Sequence, residues 1–171
     1  MGNFNQSIER DTDKRDIMIF SSFNNGILEL ILVSLSKIKE YFLNFEYSCE
    51  NFSINLTEFE QIFGTHLDEF QLWDTDRNGL IDSLEIFTGI TVYSEGAVED
   101  KFHFLFDLVD FNKTHQIGYY DLIFLFETYI NAVFKMHKFA YQIPSEEIES
   151  FVSAYTLPQK YLNFTEFKRF F

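Results

Sequence analysis

The sequence predicts an all-α fold of amphipathic helices joined by short loops, with one loop-to-helix unit recurring, and three observations predict it. Apolar residues recur at three- and four-residue spacing in one segment after another, and no stretch carries the alternation of a long strand. The hexapeptide Ile54-Asn55-Leu56-Thr57-Glu58-Phe59 also returns as Leu162-Asn163-Phe164-Thr165-Glu166-Phe167, 108 residues further on.

Residues 1–26 read as a polar extension that ends in the turn signal Asn24-Asn25-Gly26. A helical pattern then runs from Ile27 to Phe45, with Ile31, Leu35, Ile38 and Phe42 as its apolar stripe. Phe63, Leu67 and Phe70 form one face leading into an acidic stretch at Asp74, and Ile86, Phe87 and Ile90 form the face leading out of it. Phe102, Leu105, Phe106 and Val109 repeat the spacing, as do Leu122, Leu125, Phe126, Tyr129, Ile130 and Val133. These faces divide into one unit over residues 27–92 and a second over 93–171.

Composition narrows the function classes. The chain has 171 residues, with 13 Lys plus Arg against 27 Asp plus Glu, for a formal charge of −14. It also has 23 Phe, and 46% of its residues are hydrophobic, so it can bury a core where a disordered acidic tail could not. Such a surface repels phosphate backbones, which argues against nucleic acid as the partner. The apolar run Ile27–Leu35 is broken by Glu29 and Ser34 and falls far short of the roughly 20 residues that span a bilayer, so no transmembrane segment is expected. The single Cys49 allows no internal disulfide, and the start lacks the order of a secretory signal, so a reducing cytoplasmic setting is expected. Met1-Gly2 opens the chain as an acylation signal does, but Gln6 holds the usual hydroxyl position and Ser7 comes one place late. A weak membrane link would depend on myristoylation of Gly2.

The residues that carry chemistry lie in the run Asp74-Thr75-Asp76-Arg77-Asn78-Gly79-Leu80-Ile81-Asp82-Ser83-Leu84-Glu85, which meets every constrained position of the twelve-residue calcium-loop pattern. Asp74, Asp76 and Asn78, spaced by two, turn hard oxygen ligands toward one centre, and Gly79 permits the positive φ of the sharp turn. Leu80 offers its backbone carbonyl, and Asp82 acts through a water. Glu85 is long enough to supply both carboxylate oxygens and close a seven-oxygen shell. An acidic surface turn matching six constrained positions by chance is the weaker reading. Four acids around one divalent ion place the affinity in the sensor range, about 10⁻⁷ to 10⁻⁵ M.

On these residues the chain resembles EF-hand calcium-binding proteins, and within them the branch of neuronal calcium sensors, calcineurin B and calaxin. Phe87-Thr88-Gly89-Ile90-Thr91-Val92 followed by Glu95-Gly96-Ala97-Val98-Glu99-Asp100-Lys101 is similar to the segment joining the second and third hands of that branch. Leu56-Thr57-Glu58-Phe59-Glu60-Gln61-Ile62-Phe63-Gly64 resembles the exiting helix of its first hand. The similarity covers roughly residues 45 to 171. It implies an all-α fold of four hands in two paired lobes with very short β contacts between paired loops, a calcium-dependent groove for a partner helix, and service to ciliary motors or to an enzyme as a regulatory subunit.

A second loop is expected from Asp110, 36 residues after Asp74, running to Asp121. Asp110, Asn112 and Thr114 keep oxygens at the first three ligand positions, and Gln116 gives a carbonyl. Ile117 is positioned to pair with Ile81. Three departures weaken this loop: His115 stands where glycine is wanted, Gly118 has no side-chain ligand, and Asp121 is one methylene shorter than the closing glutamate. Two outcomes stay open, a six-coordinate site of the magnesium kind or a structural loop without metal. Counting back from Glu58 and Glu166 places the outer loops at Tyr47–Glu58 and Tyr155–Glu166. Tyr47, Cys49, Tyr155 and Leu157 replace their first two ligands and Pro158 disrupts the last loop, so these hands are degenerate and structural.

Three function classes follow. The first is a calcium-responsive regulator whose groove, with 23 Phe and only three Met, suits few partners, each an amphipathic or basic helix. The second is a constitutive subunit of a ciliary, cytoskeletal or enzyme-regulatory assembly, with metal only stabilising the fold. An enzyme is the weakest, because no nucleophile elbow, phosphate loop or paired-histidine zinc motif occurs. His66, His103, His115 and His137 are scattered and read as structural. Two bound divalent ions would bring −14 only to −10, so the remaining acid excess points to a basic partner surface.

Overall fold

The computed structural model describes residues 33–49, 51–64, 67–139, 143–157 and 160–170. Among these the chain is mostly helical, as the apolar spacing predicts, with one small two-stranded sheet. The expectations for Gly2, the 1–26 extension, Ile31, His66 and Pro158 lie outside the described residues.

Helix α1 (Leu35–Ser48) begins later than expected. Ser34 is in extended conformation, and its hydroxyl accepts from the Lys37 N–H at 3.3 Å. The pattern predicts helix straight through this serine. Instead Ser34 caps the helix and forms a parallel bridge with Glu95, in keeping with serine's preference for the N-cap over a helix interior.

Strand β1 (Ser53–Asn55) leads directly into α2 (Leu56–Phe63). Asn55 and Glu58 form a reciprocal capping box, each side chain accepting from the other's backbone N–H. Gly64, at φ 98°, ends α2 before α3 (Leu67–Trp73). Phe63 therefore belongs to the preceding helix and not to the face entering the acidic loop with Leu67 and Phe70, because the left-handed turn at Gly64 breaks the helix between them.

Strand β2 (Leu80–Asp82) pairs antiparallel with β1 in the register Ser53↔Asp82, Ile54↔Ile81 and Asn55↔Leu80. It runs into α4 (Ser83–Tyr93), followed by α5 (Val98–Val109), the 19-residue α6 (Tyr119–His137), α7 (Ser145–Ser153) and the short α8 (Phe164–Phe167). A single antiparallel bridge joins Ile117 to Leu162, with both backbone hydrogen bonds made at 2.8 and 3.0 Å. The pairing of Ile117 with Ile81 does not occur, because each takes a different partner: Ile54 for Ile81 and Leu162 for Ile117. All four isoleucine and leucine side chains are buried.

The core forms two clusters. One gathers Ile38, Ile54, Phe59, Trp73, Ile81 and Phe87, and the other Leu105, Phe106, Ile117, Leu122, Val152 and Phe167. Helix α6 serves both: Leu122 and Leu125, from its first half, lie in the second cluster, while Ala132 and Met136, from its last turns, lie in the first. It packs most closely on α4 at Gly89, where an added Cβ would stand 2.9 Å from the Trp73 ring, 3.0 Å from Met136 Sδ and 3.1 Å from Ala132 Cβ. That approach requires glycine and locks α3, α4 and the end of α6 together.

Candidate metal centre

The stretch from Asp74 to Glu85 begins where α3 stops. Asp74 Oδ1 accepts from the Asn78 N–H at 3.0 Å, and Oδ2 accepts from the Gly79 N–H at 3.1 Å. Asp76 Oδ1 also receives the Asn78 N–H at 3.3 Å, its Oδ2 receives Asn78 Nδ2–H at 2.8 Å, and Asn78 Oδ1 accepts from the Leu80 N–H at 2.7 Å. Left-handed Arg77 (φ 59°) and Gly79 (φ 81°) supply the turn that lets the chain wrap around Asp74. Asp74, Asp76 and Asn78 are thus brought together. Asp82 Oδ1 caps α4 by accepting the Leu84 and Glu85 N–H groups at 2.8 and 3.2 Å.

Glu85 stands apart from this group. Its side chain is only 12% exposed, and its Oε2 lies 2.5 Å from Lys135 Nζ on α6. Asn131, one turn earlier on α6, hydrogen-bonds the same carboxylate. Lys135 also donates to the Trp73 carbonyl at 3.1 Å, so one ammonium ties the residue before the loop to the loop's last residue. Burial pushes the Glu85 carboxyl above its ordinary pKa. Lys135 and Asn131 oppose that shift, while the Asp82 charge adds to it. Among the described residues no three His, Cys, Asp or Glu side chains gather closely enough to hold an ion. At this loop the helix cap made by Asp82 and the ion pair made by Glu85 account for that. The donors themselves, four carboxylates, an amide and a carbonyl, are the hard oxygen set that suits calcium.

The stretch from Asp110 to Asp121 copies the first half of this geometry. Asp110 is 2% exposed, with Oδ1 accepting from the Thr114 N–H at 3.0 Å and Oδ2 from the His115 N–H at 2.8 Å. Asn112 Oδ1 accepts from Thr114 Oγ1–H at 2.8 Å, and that hydroxyl also lies 3.3 Å from the Gln116 carbonyl. Lys113 (φ 53°) and His115 (φ 58°) occupy the two left-handed positions. The closing residue differs. Asp121 Oδ2 turns back to accept the Gly118 N–H at 2.7 Å, capping its own helix.

The same use appears at both degenerate stretches: Glu58 caps Asn55 at 2.8 Å and Glu166 caps Asn163 at 3.2 Å. Tyr47 and Tyr155, at the expected first-ligand positions, are 94% and 67% exposed. Of the four twelfth-position acids, only Glu85 is not engaged in a capping box. Asn131 and Lys135 escaped the sequence reading, since a lysine some fifty residues away on a helix face carries no signal that distinguishes it from a solvated one.

No family model matches the chain. A curated protein of Dictyostelium discoideum named "Calcium-binding protein K-like" is 29% identical over 118 residues, which is 67% of this chain and 61% of that relative, so the chain spans less than two thirds of the relative's length. Together with the helical fold and the wrapped Asp74–Glu85 loop, this likeness supports an EF-hand calcium-binding family for the chain.

Proposed function

We propose that the chain is a calcium-binding regulatory protein of four hands in two lobes, loading one ion at Asp74, Asp76, Asn78, Leu80, Asp82 and Glu85 and engaging a partner helix in response. The observation that carries it is the contrast at the twelfth position: Glu85 alone is in no capping box and is held instead by a separate helix, while Asp121, Glu58 and Glu166 cap their own helices. Bound there, calcium would supply the hard divalent charge that this oxygen donor set suits. The Asp110–Asp121 loop, with Asn112, Thr114 and Gln116, serves mainly as the partner of its neighbour. Its capped aspartate leaves a six-coordinate magnesium-type site as the most it would offer.

The partner surface is the groove of about 370 Å³ between α6 and α7, lined by Phe126, Tyr129, Ile130, Ile148 and Phe151 with Glu147 beside them. An apolar floor, an acidic flank and a net charge of −14 suit a basic amphipathic helix. Catalysis has no part in this reading, and the likeness to a calcium-binding protein fits a non-enzymatic role. A cytoplasmic setting fits the single Cys49, and a cytoskeletal or ciliary assembly as one destination is what the resemblance to the calaxin branch implies. Among the described residues no helix is long and apolar enough to cross a membrane.

Terbium titration tests the metal site. Trp73 directly precedes Asp74, so its indole should sensitise terbium in the loop, calcium should displace it, and the signal should survive Asp110→Ala. Silence in the unmodified protein would remove the proposal. A second reading, a constitutive assembly subunit, is favoured by the close packing of α4, Trp73 and α6 at Gly89, which resists helix opening. It stands if Glu85→Gln ends metal uptake while partner assembly persists.

A further inference from the structure

Glu85 is the ligand that must give both oxygens to a calcium shell, and one of them is already taken. Its Oε2 lies 2.5 Å from the Lys135 ammonium, and Asn131 hydrogen-bonds the same carboxylate. The pair is 23% and 12% exposed, so water and salt screen it far less than a surface pair. Lys135 also donates to the Trp73 carbonyl, which sets its charge across the mouth of the loop between the residue before the first ligand and the last ligand. An ion entering there meets a tethered cation that both occupies Glu85 and repels it.

We propose that Lys135 is a built-in competitor for the metal site: its ammonium holds Glu85 against α6, and full coordination of calcium requires that ion pair to open. The inference rests on the reading of Asp74–Glu85 as a metal loop and adds how that loop is regulated. Space for the displaced ammonium exists in an open cavity of about 870 Å³ between the loop and α6, lined by Asn78, Leu80, Phe134, Lys138 and Phe139 as well as the pair itself. The release also has a direction. Asn131 and Lys135 grip Glu85 from one face of α6, while Tyr129 and Ile130, in the same turn as Asn131, line the α6–α7 groove. Opening the ion pair therefore removes one tie on the helix that carries both Lys135 and the groove residues Tyr129 and Ile130, and coupling between two such sites is reciprocal.

Calorimetric calcium titration of the full chain and of Lys135→Met and Lys135→Arg tests this. Removing the charge should tighten calcium binding about tenfold, a change of about 1.4 kcal/mol, while arginine should leave it at or below the unmodified affinity. Equal or weaker binding by Lys135→Met, or tightening by both variants, would overturn the competitor and leave the metal site standing. Absence of calcium binding in the unmodified chain and in Lys135→Met would overturn both. Binding gained only in Lys135→Met would support the competitor directly. Should that variant fail to fold, lysine acetylation of the unmodified chain read by mass spectrometry decides: Lys135 should become at least threefold more reactive with calcium while exposed Lys160 does not, and an unchanged Lys135 overturns the proposal.

Discussion

The Asp74–Glu85 and Asp110–Asp121 loops share a beginning and part at the end. In both, a leading aspartate gathers the N–H groups of the fifth and sixth residues, and two left-handed residues make the turn. In the first the last acid is held by a different helix; in the second it caps its own. The leading aspartate therefore wraps both loops alike. On the proposed function, closing a metal shell would be a separate task, and the twelfth side chain would decide it.

The most demanding test of that contrast removes the twelfth carboxylate from each loop. Glu85→Gln should weaken calcium binding at least about a hundredfold, because a neutral amide cannot replace a bidentate carboxylate. Asp121→Asn should leave the calcium isotherm unchanged and cost about 1 kcal/mol of stability through its helix cap. If calorimetry found the larger loss in Asp121→Asn, the two loops would have been assigned the wrong way round.

Asp110→Ala addresses the shared beginning. The carboxylate is almost fully buried and accepts two backbone N–H groups, so its removal should destabilise the fold by about 1–3 kcal/mol in urea with chelator present. The sensitised terbium signal at the other loop should persist. Loss of that signal without unfolding would mean that the loops act as one site. A gentler test exchanges the sixth residues. Gly79→His forces a residue with a Cβ into φ 81°, although no atom lies within 4 Å of that added Cβ, and should cost about 1 kcal/mol. His115→Gly relieves a left-handed histidine and should be neutral or stabilising by up to about 1 kcal/mol. Equal urea midpoints for both variants would show that neither turn is strained.

Much of this fold is legible because it is local. The repeat Ile54–Phe59 and Leu162–Phe167 encodes one device twice: a buried residue for the bridge, an Asn–Glu capping box, then a fully buried phenylalanine. Serine's capping preference was also present at Ser34, but the apolar stripe running across it suggested a longer helix. Gly64 similarly marked a helix end within what read as one continuous face. The twelfth-position acids are ambiguous in a more instructive way. A glutamate three residues after asparagine serves a capping box as well as a metal, and spacing alone does not tell the two apart. The ion pair of Lys135 with Glu85 lay beyond sequence reading altogether, since it depends on α6 packing across α4 at Gly89, and no periodicity encodes which helix faces meet.

The smallest expected effect lies at the end of α6 that carries Lys135, in contrast to the end that leads out of the second loop. His137 Nε2 sits 2.9 Å from the Tyr93 hydroxyl, and burial pushes the imidazole below its ordinary pKa of 6.5. The folded chain thus resists a proton that the unfolded chain accepts, so the unfolded state binds more protons just below pH 6.5. Stability from this group should be full above pH 6.5 and decline as pH falls toward the depressed folded value. Urea midpoints measured with chelator between about pH 7.5 and 5.5 should fall more steeply for the unmodified chain than for His137→Gln, which does not titrate there. Parallel profiles would show that this end of α6 is as indifferent to protons as glutamine makes it.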